Sequence, residues 1–370
     1  MTAAELVASL VEIESINPSL VPGGSGEAEI AAFVGGWLAD AGLEVRADEV
    51  APGRPNVVAT ARGSGGGRSL LLCAHMDTVG VEGMAAPFTP RESGGRLHGR
   101  GAFDMKGGLA AVMLAAAEAA RADLGGDVIV AAVCDEEHAS IGAEAAVETV
   151  WAHAAIVTEP TGLDVCIAHK GFVWLEVEAE GVAAHGSRPD LGVDAIAAMG
   201  PVLVGLDGLA TELAARPPHP VLGTGSVHAS LIEGGQELSS YPERCLLRLE
   251  RRTVPGETLT AVEAEVRALA GGAEVRSTFE RPPFEVEVDA AVVEAVVAHA
   301  PAVLGRQPAL IGHSAWMDAA ILQAAGIPTA VFGPAGEGAH AVEEWVDIAS
   351  VEACAQVLAA VARDWCAAEA

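Results

Sequence analysis

Five segments of the chain place side chains that can bind a metal ion where predicted buried strands end. These side chains are two imidazoles and a set of carboxylates: His75, Asp77, Asp104, Asp135, Glu136, Glu137, Glu159 and His340. Open α/β sheets bind ligands at the carboxyl ends of their strands, so the segments are expected to converge at one edge. Mixed nitrogen and oxygen donors suit zinc. Taken singly, each residue could be a core histidine or a solvated acidic turn, but together they favour a metal centre.

The elements that must position these residues form an α/β pattern. Continuous apolar runs such as SLLLCAH, DVIVAAVCD and AAIVTEP are typical of strands covered on both faces. They alternate with predicted helices near Thr2–Glu14, Gly26–Ala41, Gly107–Ala122 and Ile141–Trp151. This alternation predicts a mainly parallel mixed sheet flanked by helices.

The pattern changes between residues 171 and 283. Strands there alternate strictly between apolar and polar residues, and two helices are predicted near Val193–Leu206 and Glu257–Ala270. The first pattern then resumes, with helices at Ala290–Leu304 and Ala315–Ala325 and a closing helix from Asp347. We therefore expect one domain from residues 1–170 and 284–370, and an inserted α+β domain over residues 171–283.

Composition excludes several classes of function. The chain has 21 basic and 51 acidic residues, a formal charge of −30, which disfavours nucleic acid and anionic membranes as partners. Its longest apolar stretch, Gly107–Ala120, is shorter than the ~20 residues that a bilayer requires. The N-terminus lacks the features of a secretion signal and the six cysteines form no CxxC pair, so a cytoplasmic protein without disulfides is expected.

Seven motifs, in order, carry a resemblance to a known family: HMDTV, GRGAFDMKGG, DEEHASIG, TEP, AHGSRPDLGVDAI, ERRTVPGET and GAHAVEEWV. The chain resembles, over essentially its whole length, the co-catalytic zinc family of acetylornithine deacetylase, succinyl-diaminopimelate desuccinylase, aminoacylase and glutamate carboxypeptidase. The resemblance implies a zinc-peptidase-like catalytic domain with an inserted lid and dimerisation domain.

The resemblance also implies a ligand set for two divalent metal ions, zinc or else cobalt or manganese. His75 and Glu159 would bind one ion, Glu137 and His340 the other, and Asp104 would bridge them. The family commonly has a cis peptide bond after the bridging residue, here between Asp104 and Met105.

Two further acids receive roles beside these ligands. Asp77, two residues after His75, is expected to accept the second N–H of that imidazole and so fix its orientation; a turn or helix-capping role is the alternative. Glu136 is expected to act as general base and acid, taking a proton from a metal-bridging water and returning it to the leaving amine. His138 has no assigned role and is expected at the surface.

The inserted domain contributes substrate contacts by the same resemblance. His185 would hold the tetrahedral oxygen, and Arg252 would bind the substrate carboxylate while Arg251 faces the other side of its strand. Many family members have Asn where this chain has Ser239, a shorter donor. In the later segment Gly312–Asp318, His313 or Asp318 could contact substrate, and Ser314 could instead cap a helix.

The sequence therefore predicts a di-metal hydrolase that cleaves the amide bond of N-acyl amino acids with a free carboxylate. A carboxypeptidase or dipeptidase using the same metals is the nearest alternative, and a catalytically silent binding protein is a third. No G-x-S-x-G motif follows a predicted strand, which disfavours a serine hydrolase.

Overall fold

The computed structural model describes residues 1–367 and 369. The helices are α1 Ala3–Glu12, α2 Ala28–Asp40, α3 Gly107–Ala119, α4 Ile141–Thr149, α5 Ala195–Ala215, α6 Leu259–Leu269, α7 Ala291–Leu304, α8 Ala319–Ala324 and α9 Ile348–Ala367. The strands are β1 Glu44–Ala51, β2 Arg54–Ala61, β3 Leu70–His75, β4 Arg91–Ser93, β5 Arg96–His98, β6 Val128–Val133, β7 Ala154–Val157, β8 Val165–His169, β9 Gly171–Glu180, β10 Ser226–Gly234, β11 Arg244–Thr253, β12 Glu274–Arg281, β13 Phe284–Glu285, β14 Leu310–His313, β15 Thr329–Val331, β16 Gly336–Glu337 and β17 Trp345–Asp347.

These elements form two compact units. The first contains residues 1–167, 286–311 and those from Met317 onward, and the second contains residues 168–285 and 312–316. The short segment 312–316 groups with the second unit although it lies far from it in sequence, which the sequence pattern did not predict.

The first unit is built on a mixed sheet of order β1-β2-β6-β3-β7-β15-β8. Its four central strands, β6, β3, β7 and β15, are parallel, and the flanking pairs are antiparallel. Every residue of β3, β7 and β15 is buried, as expected for strands covered by helices on both faces. The predicted mainly parallel, helix-flanked α/β fold is confirmed.

Local signals set the helix boundaries in this unit. Thr2 caps α1 through a capping box with Glu5, and Gly42 ends α2 in a left-handed conformation with φ of 99°. The helix predicted over Ala315–Ala325 begins only at Ala319, with Asp318 at its N-cap. The suggestion that Ser314 caps this helix is therefore wrong.

The second unit is an antiparallel sheet of order β10-β11-β9-β12 with α5 and α6 packed on one face. Val173, Leu175 and Val177 of β9 point into that core, whereas the alternate residues face away from the helices. Helix α5 was predicted to end at Leu206 but continues to Ala215, because its buried stripe extends through Leu209 and Leu213.

Helix α5 is also long and apolar enough, by length and composition alone, to cross a membrane. Its stripe of buried residues, which includes Met199, Val202 and Leu206, packs in the core of the second unit. A core-facing helix satisfies the same length and composition test.

Candidate metal centre

The parallel arrangement of β3, β6 and β7 brings their carboxyl ends to one edge of the sheet. His75 is the last residue of β3, the segment Asp135–Glu137 follows β6, and Glu159 follows β7. Asp104 lies in the tight turn Ala102–Lys106 that leads into α3, and the Asp104–Met105 peptide bond is cis, as predicted.

One group of potential ligands contains His75, Asp104 and Glu159. His75 Nε2 lies 3.2 Å from Asp104 Oδ1 and 3.7 Å from Glu159 Oε1. Burial disfavours the protonated imidazole of His75. Hydrogen bonds to Asp104 and Asp77 outweigh this effect of burial and raise the pKa of His75. Burial, assisted by the Asp104 charge, raises the pKa of Glu159 well above its usual value.

A second group contains Asp104, Glu137 and His340. His340 Nε2 lies 2.9 Å from Glu137 Oε2 and 3.4 Å from Asp104 Oδ2. Hydrogen bonds to Asp104 and Glu137 raise the pKa of His340 to about 10, and burial and the Asp104 charge raise the pKa of Glu137 to about 7. The two groups therefore share Asp104, which faces one imidazole with each carboxylate oxygen.

Glu136 lies beside the first of these groups. Its Oε2 is 3.9 Å from His75 Nε2, and its side chain is only 10% exposed. Burial and the neighbouring Glu159 raise the pKa of Glu136 well above its usual value. The carboxylate of Asp318, almost fully buried, adds to the negative potential at both glutamates. The sequence had left the role of Asp318 open.

The donor set fits two divalent cations. Buried carboxylates so close together repel one another, and the raised pKa values of both imidazoles show that the cluster stabilises positive charge. Glu137 Oε1 is buried without a hydrogen-bond partner among the described residues. Two imidazoles and three carboxylates can supply each of two ions with three donors, with Asp104 counted for both.

Asp77 contacts both His75 and the segment that follows β6. His75 Nδ1 lies 2.9 Å from the main-chain oxygen of Asp77 and 3.5 Å from its carboxylate, so the nearer acceptor is the carbonyl group. The carboxylate is engaged elsewhere: it accepts from Asn17 Nδ2 at 2.7 Å and from the main-chain N–H groups of Glu136 and Glu137 at 3.1 and 3.2 Å. Asp77 therefore contacts the segment that carries the predicted base as well as His75.

A buried ionic network continues from Asp77. Asn17 also donates to Asp135 Oδ1 at 3.0 Å, and Arg54 donates to the same oxygen at 2.6 Å. Arg54 in turn donates through Nε to Glu27 Oε2 at 2.8 Å. Asp135 has a positive φ of 69°, a conformation that Asp tolerates better than most residues. Sequence reasoning left Asp135 unassigned and missed Asn17, Glu27 and Arg54, since nothing local links them.

The three substrate residues predicted in the inserted segment all lie in the second unit. His185 is exposed, with Nδ1 2.8 Å from Ser187 Oγ, and the neighbouring Gly186 N–H donates to the main-chain oxygen of Ser239 at 2.6 Å. Arg252 is 32% exposed and donates to Glu250 at 2.7 Å. Arg251 is fully buried against Glu257 and Glu265, so the predicted alternation of the two arginines is confirmed.

Two further histidines, His138 and His313, have no assigned role. His138 is partly buried, and its main-chain N–H donates to the Asp135 carbonyl at 3.3 Å. His313 ends β14 and belongs to the second unit. Its Nδ1 accepts from the Ala315 N–H at 3.2 Å.

Comparison with known proteins identifies the family. Residues 71–364 match the model of peptidase family M20/M25/M40. The chain belongs to this family. As an M20 family member it is a hydrolase that acts on amide bonds, and the predicted family resemblance is confirmed.

Several relatives of this M20 family chain cover its full length. It is 30% identical to an acetylornithine deacetylase of Proteus mirabilis, over 100% of this chain and 98% of the relative. An M20 family metallo-carboxypeptidase of Sulfolobus solfataricus has a TM-score of 0.80 at 18% identity, over 98% of this chain and 99% of that one. The YXEP protein of Bacillus subtilis, described as a dinuclear metal binding peptidase, has a TM-score of 0.74 at 20% identity over 98% and 97%. These structural likenesses support the fold.

Proposed function

We propose that this chain is a two-metal hydrolase that removes the acyl group from N-acyl amino acids, in the manner of acetylornithine deacetylase. The observation that carries the proposal is the pair of ligand groups that share Asp104, with the Glu136 carboxylate beside them. The deacetylase relative that matches the whole chain at 30% identity supports the choice of an acylated amino acid.

His75 and Glu159 would hold one cation and Glu137 and His340 the other, with Asp104 between them. The cations, zinc by the donor set, would supply Lewis-acid polarisation of the scissile carbonyl and lower the pKa of a water molecule. Glu136 would accept the proton of the attacking water on its carboxylate and deliver it to the leaving amine. Because burial favours its protonated form, Glu136 is suited to hold that proton between the two steps.

Substrate recognition is assigned to the second unit. Arg252 would bind the free carboxylate of the substrate through its terminal NH₂ groups, with its Nε fixed by Glu250. The Arg252 guanidinium also lies 5.2 Å from the ring centroid of Phe172, which restricts its rotation. His185 would donate to the developing oxyanion, and Ser239 would provide a weaker polar contact where other members have Asn.

The same unit is proposed to make a homodimer. Strand β10 is an edge strand, so it presents unpaired main-chain N–H and C=O groups. It also exposes Leu231 and Ile232, 58% and 51% accessible, and Ile196 of α5 lies against its last residue, Gly234. Exposed apolar residues beside an open strand edge favour pairing with a second copy of the chain. The proposed location of the protein is the cytoplasm.

A metal analysis combined with a hydrolysis screen tests the proposal. The protein should bind two Zn²⁺ per chain and hydrolyse N-acetyl or N-succinyl amino acids faster than dipeptides. Faster cleavage of dipeptides would assign a dipeptidase or carboxypeptidase activity instead. A protein with two bound metals and no turnover on either group would be a binding protein, contrary to the proposal.

A further inference from the structure

A buried carboxylate outside the ligand set gathers the main-chain N–H groups that surround Asp104. Glu344 is 2% exposed, and its Oε1 accepts from the N–H groups of Phe103 at 2.9 Å and Asp104 at 3.0 Å. Its Oε2 accepts from the Gly101 N–H at 2.9 Å and from Arg100 Nη1 at 2.7 Å. Four donors from residues 100–104 thus bond a single side chain about 240 residues away.

The guanidinium of Arg100, itself 3% exposed, extends these contacts to the other ligand-bearing segments. Its Nη2 donates to the main-chain oxygen of Ala341, the residue after His340, at 3.0 Å. Its Nε donates to the main-chain oxygen of Gly80, in the segment that follows His75, at 3.1 Å. Arg100 therefore connects three segments that are remote in sequence.

We infer that Glu344 and Arg100 are positioning residues that hold the Asp104 carboxylate between the imidazoles of His75 and His340, and thereby set the affinity for the pair of cations. The inference rests on the proposed two-metal function. A shared ligand must face both ions, and its position follows from the backbone around it. Glu344 fixes that backbone through the main-chain N–H groups of Gly101, Phe103 and Asp104. Ligand geometry tolerates errors of only about 0.5 Å, and residues that orient metal ligands typically change metal affinity 10–100-fold when altered.

The test is the substitution Glu344→Gln, which preserves size but leaves one acceptor oxygen for two pairs of donors. We expect the dissociation constant for Zn²⁺, measured by competition with a chromophoric chelator, to rise about 10–100-fold. We also expect the visible absorption of the Co²⁺ form to change, because the coordination geometry changes. Arg100→Lys, which keeps the charge but lacks the fork of donors, should weaken Zn²⁺ binding as well.

Asp164→Asn is the matched control. Asp164 likewise accepts from a main-chain N–H, that of Ala309 at 2.9 Å, and from an arginine, Arg306, at 2.6 Å, but these contacts involve no residue adjacent to a metal ligand. Its Zn²⁺ affinity and Co²⁺ spectrum should match those of the unaltered protein.

A purely structural role for Glu344 predicts a different result, namely a lower unfolding temperature with unchanged Zn²⁺ affinity and an unchanged Co²⁺ spectrum. That result in Glu344→Gln would overturn the inference while leaving the proposed function intact. If Glu344→Gln does not fold, Arg100→Lys decides by the same two measurements. An unaltered protein that binds fewer than two Zn²⁺ would instead refute the proposed function.

Discussion

Replacing Arg54 by Met should destabilise the first unit more than any exposed ion pair could. Arg54 is buried against two carboxylates, Glu27 with a fully buried side chain and Asp135 with a side chain that is 2% exposed. Met fills a similar volume without charge. The substitution would leave both carboxylates without their cation, although Asp135 would retain the hydrogen bond from Asn17.

The magnitude follows from the fate of Glu27. Burial raises the pKa of Glu27 even with Arg54 in place, so the penalty for protonating Glu27 is an upper bound on the difference between the two proteins. Without Arg54, burial would force Glu27 to be neutral in the folded state, whereas in the unfolded chain it titrates near its ordinary pKa of 4.5. Protonating such a group at pH 7, about 2.5 units above that pKa, requires about 3.4 kcal/mol at 1.36 kcal/mol per unit. This agrees with the ~3–5 kcal/mol that follows the removal of one partner from a buried ion pair.

The loss of folding stability in Arg54→Met should become smaller as the pH falls. A group whose folded pKa is raised favours the folded state below its unfolded pKa, and this advantage disappears as pH rises through the folded pKa. The penalty at Glu27 in the variant therefore falls from about 3.4 kcal/mol at pH 7 to about 0.7 kcal/mol at pH 5. The stability difference between the unaltered protein and Arg54→Met should narrow accordingly.

Urea unfolding at pH 7 and pH 5, followed by circular dichroism, measures this difference. Arg62→Met is the matched control, because Arg62 also pairs with two carboxylates but is 59% exposed; we expect a loss below about 1 kcal/mol. An Arg54→Met loss no larger than that of the control, or one that is equal at both pH values, would refute the reasoning. Turnover should also fall, since Asp135 directly precedes Glu136.

Four further predictions concern the metal centre, substrate binding and the proposed dimer. Glu136→Gln should lower kcat at least about 100-fold with two metals still bound, and loss of metal from the variant would contradict its assignment as the base. Zn²⁺ binding to metal-free protein near pH 8 should release protons, because the pKa of His340 is raised to about 10; calorimetric heats that are equal in buffers of different ionisation enthalpy would contradict this. Arg252→Ala should raise KM about 10–100-fold for substrates with a free carboxylate, whereas Arg248→Ala, on the same strand, should leave KM unchanged. Ile232→Arg on β10 should convert a dimer to a monomer in sedimentation velocity, and an unaltered dimer would place the interface elsewhere.

Much of the fold could be predicted because its signals are local. Continuous apolar runs indicated β3, β6 and β7 as buried strands, and the alternation in β9 and β11 indicated a sheet with one open face. A helix end such as that of α5 was misjudged because tertiary burial of Leu209 and Leu213, rather than local propensity, extends the helix.

The sequence by itself determined which chemical groups stand at the strand ends, because residue type and strand periodicity are properties of neighbouring residues. Only the tertiary structure decided which remote groups hold them. Asn17, Arg54 and Glu344 bond partners 27 to 244 residues away, and no local pattern distinguishes them from other polar residues. Their contacts exist because a buried polar group must find a partner wherever the fold provides one, and that choice is made by packing in three dimensions.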